Sequence, residues 1–493
     1  MSKLRIALAP GDGIGPEITE AVLTILKPAG VLDLIEFVPV EMGERFFATD
    51  SRGLTDTAVA AIEETGLLLK GPMGTPIGGG GKSINVTLRK MYNAYANVRH
   101  FQSLPGVETV YSKAKIPVDF YVIRENIEDT YGGIEHRLTN DVVECKRLIS
   151  APGSDQVHRA AFELARRLNI TKVHCGHKAN IMKMSDGLFL DRFRKLGQDY
   201  PSIETADVII DALCMNLVLK PQQYRMIVLP NLQGDIVSDL AAGLVGGLGF
   251  APSANIGNHV SIFEAVHGTA PDIAGKGIAN PTSLLLSTLM MLRHVGLMRH
   301  AAIIENALLA TLESGVHTGD FGTPGTPSVG THAYAEAIAK HIGKKPSSRE
   351  PLAETGGDAV CFERPPRPRH NTLIRTYETL RSVFVGADVY LDTVLGPQEI
   401  AEKLQAICAP TPFKLVMMSN RGTQVWPSGS VYTEIVDYYR ARFLLRDMGN
   451  APSLGQGPII ALLDRIAEKF EITDFQPIKH YDGKPGYSLA QGQ

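Results

Sequence analysis

Two aspartates one helical turn apart, Asp235 and Asp239 in the stretch GDIVSDL, carry the clearest chemistry of the sequence. At i and i+4 they share one helix face, and two carboxylates so close repel unless something positive sits between them. A hard divalent cation would do that, and oxygen-only ligands point to Mg2+ or Mn2+ rather than Zn2+. Asp211 ends the apolar run Val208-Ile209-Ile210 and is expected on a strand, as a third carboxylate. A solvated helix face is the plain alternative for the pair, but Ala241-Ala242-Gly243 and Gly246-Gly247 favour tight packing.

A second constellation suits an anion. Ser83, Asn85 and Arg89 follow the run Gly78-Gly79-Gly80-Gly81, and YANVR brings Arg99. The glycines let the chain approach a ligand closely. Ser83 and Asn85 supply hydroxyl and amide groups, and the two arginines supply guanidinium forks suited to carboxylates. Arg124 stands at the end of an apolar strand with Tyr131 seven residues on, and strand ends in α/β proteins are where ligands are met. Lys178 directly follows another apolar strand; near other cations and low-dielectric walls a lysine can lose its charge and act as a base. Taken singly, these are also what surface arginines, a structural tyrosine and a solvated lysine look like. Their joint occurrence is what points to a site.

Two glycine-rich stretches remain. GDGIGPE, from Gly11 to Glu17, lacks the spacing of a G-x-G-x-x-G fingerprint and is equally a tight strand-to-helix turn. HGTAPDIAGKGIAN, from His267 to Asn280, reads as a loop that presses against a ligand, with an acid, Asp272, where a phosphate cradle would want a base.

These residues need rigid elements to position them. Short apolar strands (Leu4–Ala9, 67–72, 120–125, 172–177, 226–230) alternate with helix-period segments such as 18–26 and 157–168, which indicates an α/β architecture. The chain has 493 residues, enough for two or three domains. A Pro-, Gly- and Ser-rich break over 343–372 reads as a linker, and beyond it strands at 387–391 and 413–418 with helices at 399–408 and 458–470 suggest a small α/β domain at 373–493. A formal net charge of −3 gives no general pull toward nucleic acid or an anionic membrane, so no nucleic-acid partner is expected. The most apolar run, 284–292, is far short of the ~20 residues that span a bilayer, so no membrane role is expected either. Five scattered cysteines argue against a disulfide framework and fit a reducing cytoplasm.

In combination these segments resemble the metal-dependent decarboxylating β-hydroxyacid dehydrogenases, the family of isocitrate, isopropylmalate and homoisocitrate enzymes. The resemblance covers about residues 1–340, and MSNRGTQV from Met418 resembles the C-terminal extension of a longer bacterial subgroup. It implies an isocitrate/isopropylmalate dehydrogenase-like α/β fold, distinct from the Rossmann fold. A large domain of 1–97 and 246–342 and a small domain of 98–245 would hold the cofactor and the substrate, with a dimerisation arm near 130–153. The polar pair Ser83 and Asn85 resembles the isocitrate branch, since an isopropylmalate enzyme would place apolar residues there.

The implied roles follow residue by residue. Arg89, Arg99 and Arg124 clamp the carboxylates of isocitrate, with Ser83 and Asn85 on the distal one. Asp211, Asp235 and Asp239 hold Mg2+ or Mn2+. Tyr131 donates a proton and Lys178 belongs to the proton-abstracting group. In the family Lys178 and Asp211 come from the partner subunit, which implies a homodimer with shared active sites. The reaction implied is oxidative decarboxylation to 2-oxoglutarate and CO2 in the tricarboxylic acid cycle. Thr75, Asn180, Glu264, His267, Gly268, Thr269, Ala270, Pro271, Asp272, Ile273, Ala279 and Asn280 are implied as cofactor contacts. Members using NADP tend to carry Lys-Tyr at the positions of Asp272 and Ile273. An acid there accepts from a free ribose 2′-OH and repels a 2′-phosphate, and small Ala279 leaves room for an altered adenosine pose, so NAD is the cofactor expected. Homoisocitrate or isopropylmalate as substrate, or a catalytically silent regulatory subunit, are the alternatives. The extension is expected to pack in the dimer and support stability.

Overall fold

Leucine-, isoleucine- and valine-rich runs too short for helices form the strands, because a run buried on both faces needs no polar alternation. A computed structural model describes residues 3–74, 83–322, 325–354, 362, 380–429, 433–449 and 455–488. Its first strands are β1 (Leu4–Ala9), β2 (Ile35–Pro39), β3 (Leu67–Lys70), β4 (Ala96–Gln102), β5 (Asp119–Glu125), β6 (Glu135–Arg137) and β7 (Val143–Cys145). β8 (Lys172–His177), β9 (Glu204–Ile209), β10 (Met226–Leu229), β11 (Pro252–Ile256) and β12 (Ser261–Ala265) follow. The chain divides into two compact units, Met1–Tyr131 with Leu148–Thr372, and Gly132–Arg147 with Leu373–Gln493.

The first unit is built on a ten-stranded sheet of order β2-β1-β3-β12-β11-β4-β5-β10-β8-β9. β2, β1, β3 and β12 are mutually parallel, and so are β5, β10, β8 and β9. The middle pairs β12–β11, β11–β4 and β4–β5 are antiparallel, so the two parallel wings run in opposite directions. The sheet is thus mixed, with crossover helices on its wings and a hairpin-like centre. Helices such as Gly15–Leu26, Ala151–Arg167 and Thr282–His294 cover it and close a core that includes Ile18, Ile25, Phe162, Leu285 and Leu289.

The strand and helix ends follow local chemistry. The GDGIGPE turn is required by close approach: Gly13 has φ +60°, and a Cβ there would lie 2.0 Å from the Thr269 carbonyl oxygen. Asp211 departs from expectation. It lies not on a strand but in the first turn of the helix Ile210–Leu219, after β9 has ended at Ile209. A carboxylate is favoured at a helix N-terminus, and Ala212, Leu213, Met215, Leu217 and Leu219 are good helix formers, so the apolar run splits between strand and helix.

The second unit contains β13 (Ser382–Asp392), β14 (Phe413–Asn420), β15 (Thr423–Trp426), β16 (Tyr438–Leu445), β17 (Glu471–Tyr481) and β18 (Lys484–Pro485). They form an antiparallel sheet of order β15-β14-β16-β13-β17-β18. Alternation along β13 sends Val385, Ala387, Val389 and Leu391 into a core shared with the helices Pro397–Cys408 and Gly457–Ala467. Between them Asp388 meets Arg442 through a two-pronged ion pair of 2.7 and 2.8 Å. The β6–β7 hairpin, from the region expected as an arm, belongs to this unit: Thr139 donates to Asp437 at 2.6 Å and Lys146 to Asp474 at 3.1 Å. Of the expected linker, residues 355–361 and 363–372 lie outside the described residues. Among the described residues no helix is long and apolar enough to cross a membrane.

Candidate active site

The arginines come together where the two wings meet. Arg124, near the C-terminal end of β5, is buried; its Nε and Nη2 donate to Asn231 Oδ1 at 3.0 and 2.8 Å, and its Nη1 pairs with Asp235. A Cβ on Gly234 would meet the Arg124 side chain at 2.7 Å, so only glycine lets the helix Asn231–Leu244 press onto it. Tyr131 donates its hydroxyl to Asp235, and the Arg124 guanidinium lies 4.8 Å from the Tyr131 ring centroid. Lys90 fixes the Tyr131 carbonyl at 2.7 Å. Arg99, on the adjacent β4, donates to Ser238 at 2.6 Å and stands 3.7 Å from Asp235 and 3.6 Å from Asp239.

Burial and neighbouring charge shift the titratable groups of this centre. Burial, then repulsion from Arg124, lowers the Arg99 pKa to about 10, although Asp235 opposes the shift. Burial would raise the Asp235 carboxyl, but Arg124, Tyr131, Arg99 and Arg89 outweigh it and hold it below the usual range. Burial and the bond to Asp235 push the Tyr131 phenol up, so it stays protonated at neutral pH and available as a donor.

Ser83 stands just before the helix Ile84–Met91, which carries Asn85 and Arg89. Asn85 Oδ1 and Arg89 Nε are buried without a hydrogen-bond partner, as fits groups that meet a polar ligand. Thr75 and the four-glycine run before Ser83 lie outside the described residues.

The acids fit a hard cation in part. Asp235 and Asp239 lie on one stripe of their helix, and burial with the charge of Asp235 raises the Asp239 pKa against the pull of Arg99. Among the described residues no three carboxylate, imidazole or thiolate groups of one chain gather as a metal set. Asp211 instead pairs with Lys178, which holds its carboxyl below the usual range. The Lys178 amide donates to Asp186 at 2.6 Å, and Asp186 also accepts from Gln233 at 3.0 Å. The oxygen-only donors of Asp235 and Asp239 are of the kind that suits a hard cation such as Mg2+ or Mn2+.

On the other wing, the loop after β12 carries the expected cofactor contacts. Glu264, on β12 itself, is buried and paired with Lys70 at 2.6 Å and Arg89 at 2.9 Å. His267 bonds the Gly268 carbonyl at 3.0 Å through Nδ1; burial lowers its pKa and leaves Nε2 buried without a partner. Thr269 accepts from the Ile14 amide at 2.9 Å, and Ala270 takes φ +42° ahead of exposed Pro271. Asn280 donates to Asp320 at 3.1 Å beside a 320 Å³ recess lined by His317, Asp320 and Phe321. Asn180 is exposed in the turn after Lys178.

Sequence reasoning passed over Lys70, Asn231, Asp186, Ser238 and Asp320. For Lys70 a signal existed, a lone charge ending the apolar run LLLK. Ser238, between the two aspartates, gave none.

Residues 5–338 match the isocitrate/isopropylmalate dehydrogenase family, and residues 382–493 match the bacterial isocitrate dehydrogenase C-terminal domain. The chain is 43% identical over 495 residues to "Isocitrate dehydrogenase [NADP]" of Thermus thermophilus, covering 99% of this chain and 96% of that one. The enzyme of the same name from Rickettsia bellii is 40% identical over 494 residues, covering 99% of both. A crystal structure of a Thermus thermophilus protein superposes with a TM-score of 0.89 at 42% identity, over 99% of this chain and 96% of that one.

These relatives overturn the expectation of NAD, since both full-length ones are named for NADP. The geometry explains why the three residues behind that expectation misled. Asp272 is exposed in a turn, where water solvates its carboxylate and weakens its effect on a neighbouring charge. Ile273 packs against the core of the unit. Ala279 is 2% exposed and accepts from Thr331 at 2.7 Å, so its small size serves packing. By the match from 5 to 338 and by full-length identity, the chain belongs to the isocitrate/isopropylmalate dehydrogenase family.

Proposed function

We propose that the protein oxidises and decarboxylates isocitrate to 2-oxoglutarate and CO2, with NADP as hydride acceptor and Mg2+ or Mn2+ as metal. The observation that carries this reading is the convergence of buried Arg99 and Arg124 with Tyr131 on Asp235, beside the polar helix face of Ser83, Asn85 and Arg89. Three arginines match a tricarboxylate better than a substrate with an alkyl tail, which would leave the Arg89 Nε donor without an acceptor.

Asp235 and Asp239, with Asp211 of the partner subunit, would hold the cation. When bound, the metal would supply Lewis acidity at the 2-hydroxyl and the nicotinamide ring a hydride acceptor. The chain's own residues do the rest. The arginines fix both reacting carbons in one geometry. Lys178 of the partner subunit takes the hydroxyl proton, and Tyr131, protonated at neutral pH, returns a proton to carbon after CO2 has left. His267 and Asn280 would contact the cofactor's adenosine half.

A homodimer is part of the proposal. The helix Ile210–Leu219 leaves Met215, Val218 and Leu219 at 56, 49 and 59% exposure on the stripe of Asp211. The helix Asn231–Leu244 does the same with Leu232 and Ile236, at 37 and 59%, beside Asp235. Apolar stripes around two half-sites suit a second copy of the chain. A reducing cytoplasm also belongs to the reading, supported by four described cysteines, none in a disulfide.

Initial rates with isocitrate, homoisocitrate and isopropylmalate, each with NADP and NAD, test the reaction. The highest kcat/KM is expected for isocitrate with NADP in the presence of Mg2+ or Mn2+, and preference for another acid would refute it. Mixing inactive Lys178→Met and Asp235→Asn chains after dissociation tests sharing. Half the dimers become mixed and one site in each is whole, so about a quarter of wild-type activity should return. No recovery would mean that each chain builds its own site.

A further inference from the structure

One face of the sheet centre carries a row of polar residues where a β-core normally carries aliphatic ones. Lys70 on β3 pairs in register with Glu264 on β12, and Glu264 with Ser253 on β11. Two residues along β11, Asn255 pairs with Asn97 on β4, and Asn97 with Arg124 on β5. Residues directly paired or two apart in a strand share a face, so this row crosses five strands. Asn97 and Asn255 are fully buried.

The side chains join head to tail. Arg99 Nε donates to Asn97 Oδ1 at 2.8 Å, Asn97 Nδ2 donates to Asn255 Oδ1 at 2.8 Å, and Asn255 Nδ2 donates to Glu264 Oε1 at 2.7 Å. Asn126 donates to the same Asn255 oxygen at 3.0 Å, and Ser253 accepts from Asn97 at 2.7 Å. The two ends dictate the direction. A guanidinium can only donate, so Asn97 must turn its oxygen to Arg99; an ionised carboxylate can only accept, so Asn255 must turn its NH2 to Glu264. Burial would raise the Glu264 pKa, but Lys70 and Arg89 outweigh it and keep the carboxyl ionised. Both amide dipoles therefore lie along one line from the positive to the negative end, in a medium where such chains strengthen one another.

From this geometry we infer that Asn97 and Asn255 are positioning residues for substrate binding, transmitting the buried Glu264 carboxylate to Arg99 and fixing which guanidinium edge faces the substrate. Glu264 holds Arg89 directly, at 2.9 Å, and Arg99 through the two amides. One buried acid thereby sets the orientation of two substrate arginines on different elements. With Nε committed to Asn97 and Nη1 to Ser238, the outer edge of Arg99 is left toward Asp235 and a bound carboxylate.

The inference rests on the isocitrate reading above, and the test separates the two. A wild-type chain that does not turn over isocitrate fails that reading. An active wild type whose Asn255 variants keep their KM fails the inference alone. Asn255→Leu, similar in volume but unable to donate or accept, should raise the KM for isocitrate about tenfold or more while the KM for NADP moves within about twofold. Ser253→Ala removes only a side branch and should leave the isocitrate KM within about twofold.

Asn255→Asp supplies the readout that mere packing would not move. The groups facing the new carboxyl are Glu264 and Lys70 from β12 and β3, Arg89 from its helix, Asn97 from β4 and Asn126 after β5. Full burial and ionised Glu264 disfavour its anion against the pull of Lys70 and Arg89, whose charge Glu264 already engages, and when protonated its O–H can replace the amide donor to Glu264. Relative to wild type at each pH, its isocitrate KM should be several-fold nearer normal at pH 6 than at pH 8.5. A KM ratio constant with pH, or an unchanged KM in Asn255→Leu, overturns the inference. If the leucine variant fails to fold, the pH ratio of the nearly isosteric aspartate variant decides alone.

Discussion

Replacing Asp235 with asparagine should lower kcat/KM for isocitrate by about a thousandfold or more, with the fold intact. The side chain keeps its shape, so packing of the helix Asn231–Leu244 on β5 is undisturbed. Its charge, however, is the meeting point of Arg124, Tyr131 and Arg99. Without it two buried guanidinium groups repel each other across a site that has lost its carboxylate, and one of the three acids proposed for the cation is gone. Kinetics at saturating Mg2+ with circular dichroism as the control measure this. A loss of less than about tenfold would place the chemistry elsewhere.

The second large effect falls on stability. Glu264→Leu should destabilise the first unit by about 3–5 kcal/mol, because removing one partner of a buried ion pair leaves the other uncompensated. Here two cations, Lys70 and Arg89, lose their direct counter-charge. The pH dependence carries a definite sign. Burial already lowers the Lys70 pKa, and without Glu264 that direction is reinforced. A lysine with a folded pKa below its unfolded one binds fewer protons when folded, so stability rises with pH toward the unfolded value near about 10.4. The defect in denaturant midpoint should therefore shrink between pH 7 and 9.5, and a defect independent of pH would contradict the argument.

The elements that present single side chains were readable in the sequence. LRIALA and KVHCGH form β1 and β8 with the ends expected of them. Arg124 was visible because a charge closing an apolar strand has few structural uses. Asp211 was misplaced because VIIDALCM is apolar across both a strand end and a helix start, and only pairing of β8 with β9 as far as Ile209 locates the break. Long-range choices left no local mark. Nothing in ANVR announces that Asn97 faces Asn255, 158 residues away. The cofactor reading failed for a related reason: a residue type was visible at position 272, but its exposure, which sets the strength of its charge, was not.

The β6–β7 hairpin has a consequence in time. Gly132 follows Tyr131 directly, yet Gly132–Arg147 belongs with a sheet whose first strand, β13, begins at Ser382. On the ribosome, at roughly 5–20 residues per second, the hairpin must wait roughly 10–50 s before the first strand of that sheet even begins to be made. During that interval the segment after Tyr131 has no sheet to fold against. A chain cut short before β13 leaves the same segment unanchored for good, so removal of the C-terminal residues is not a clean excision of one module.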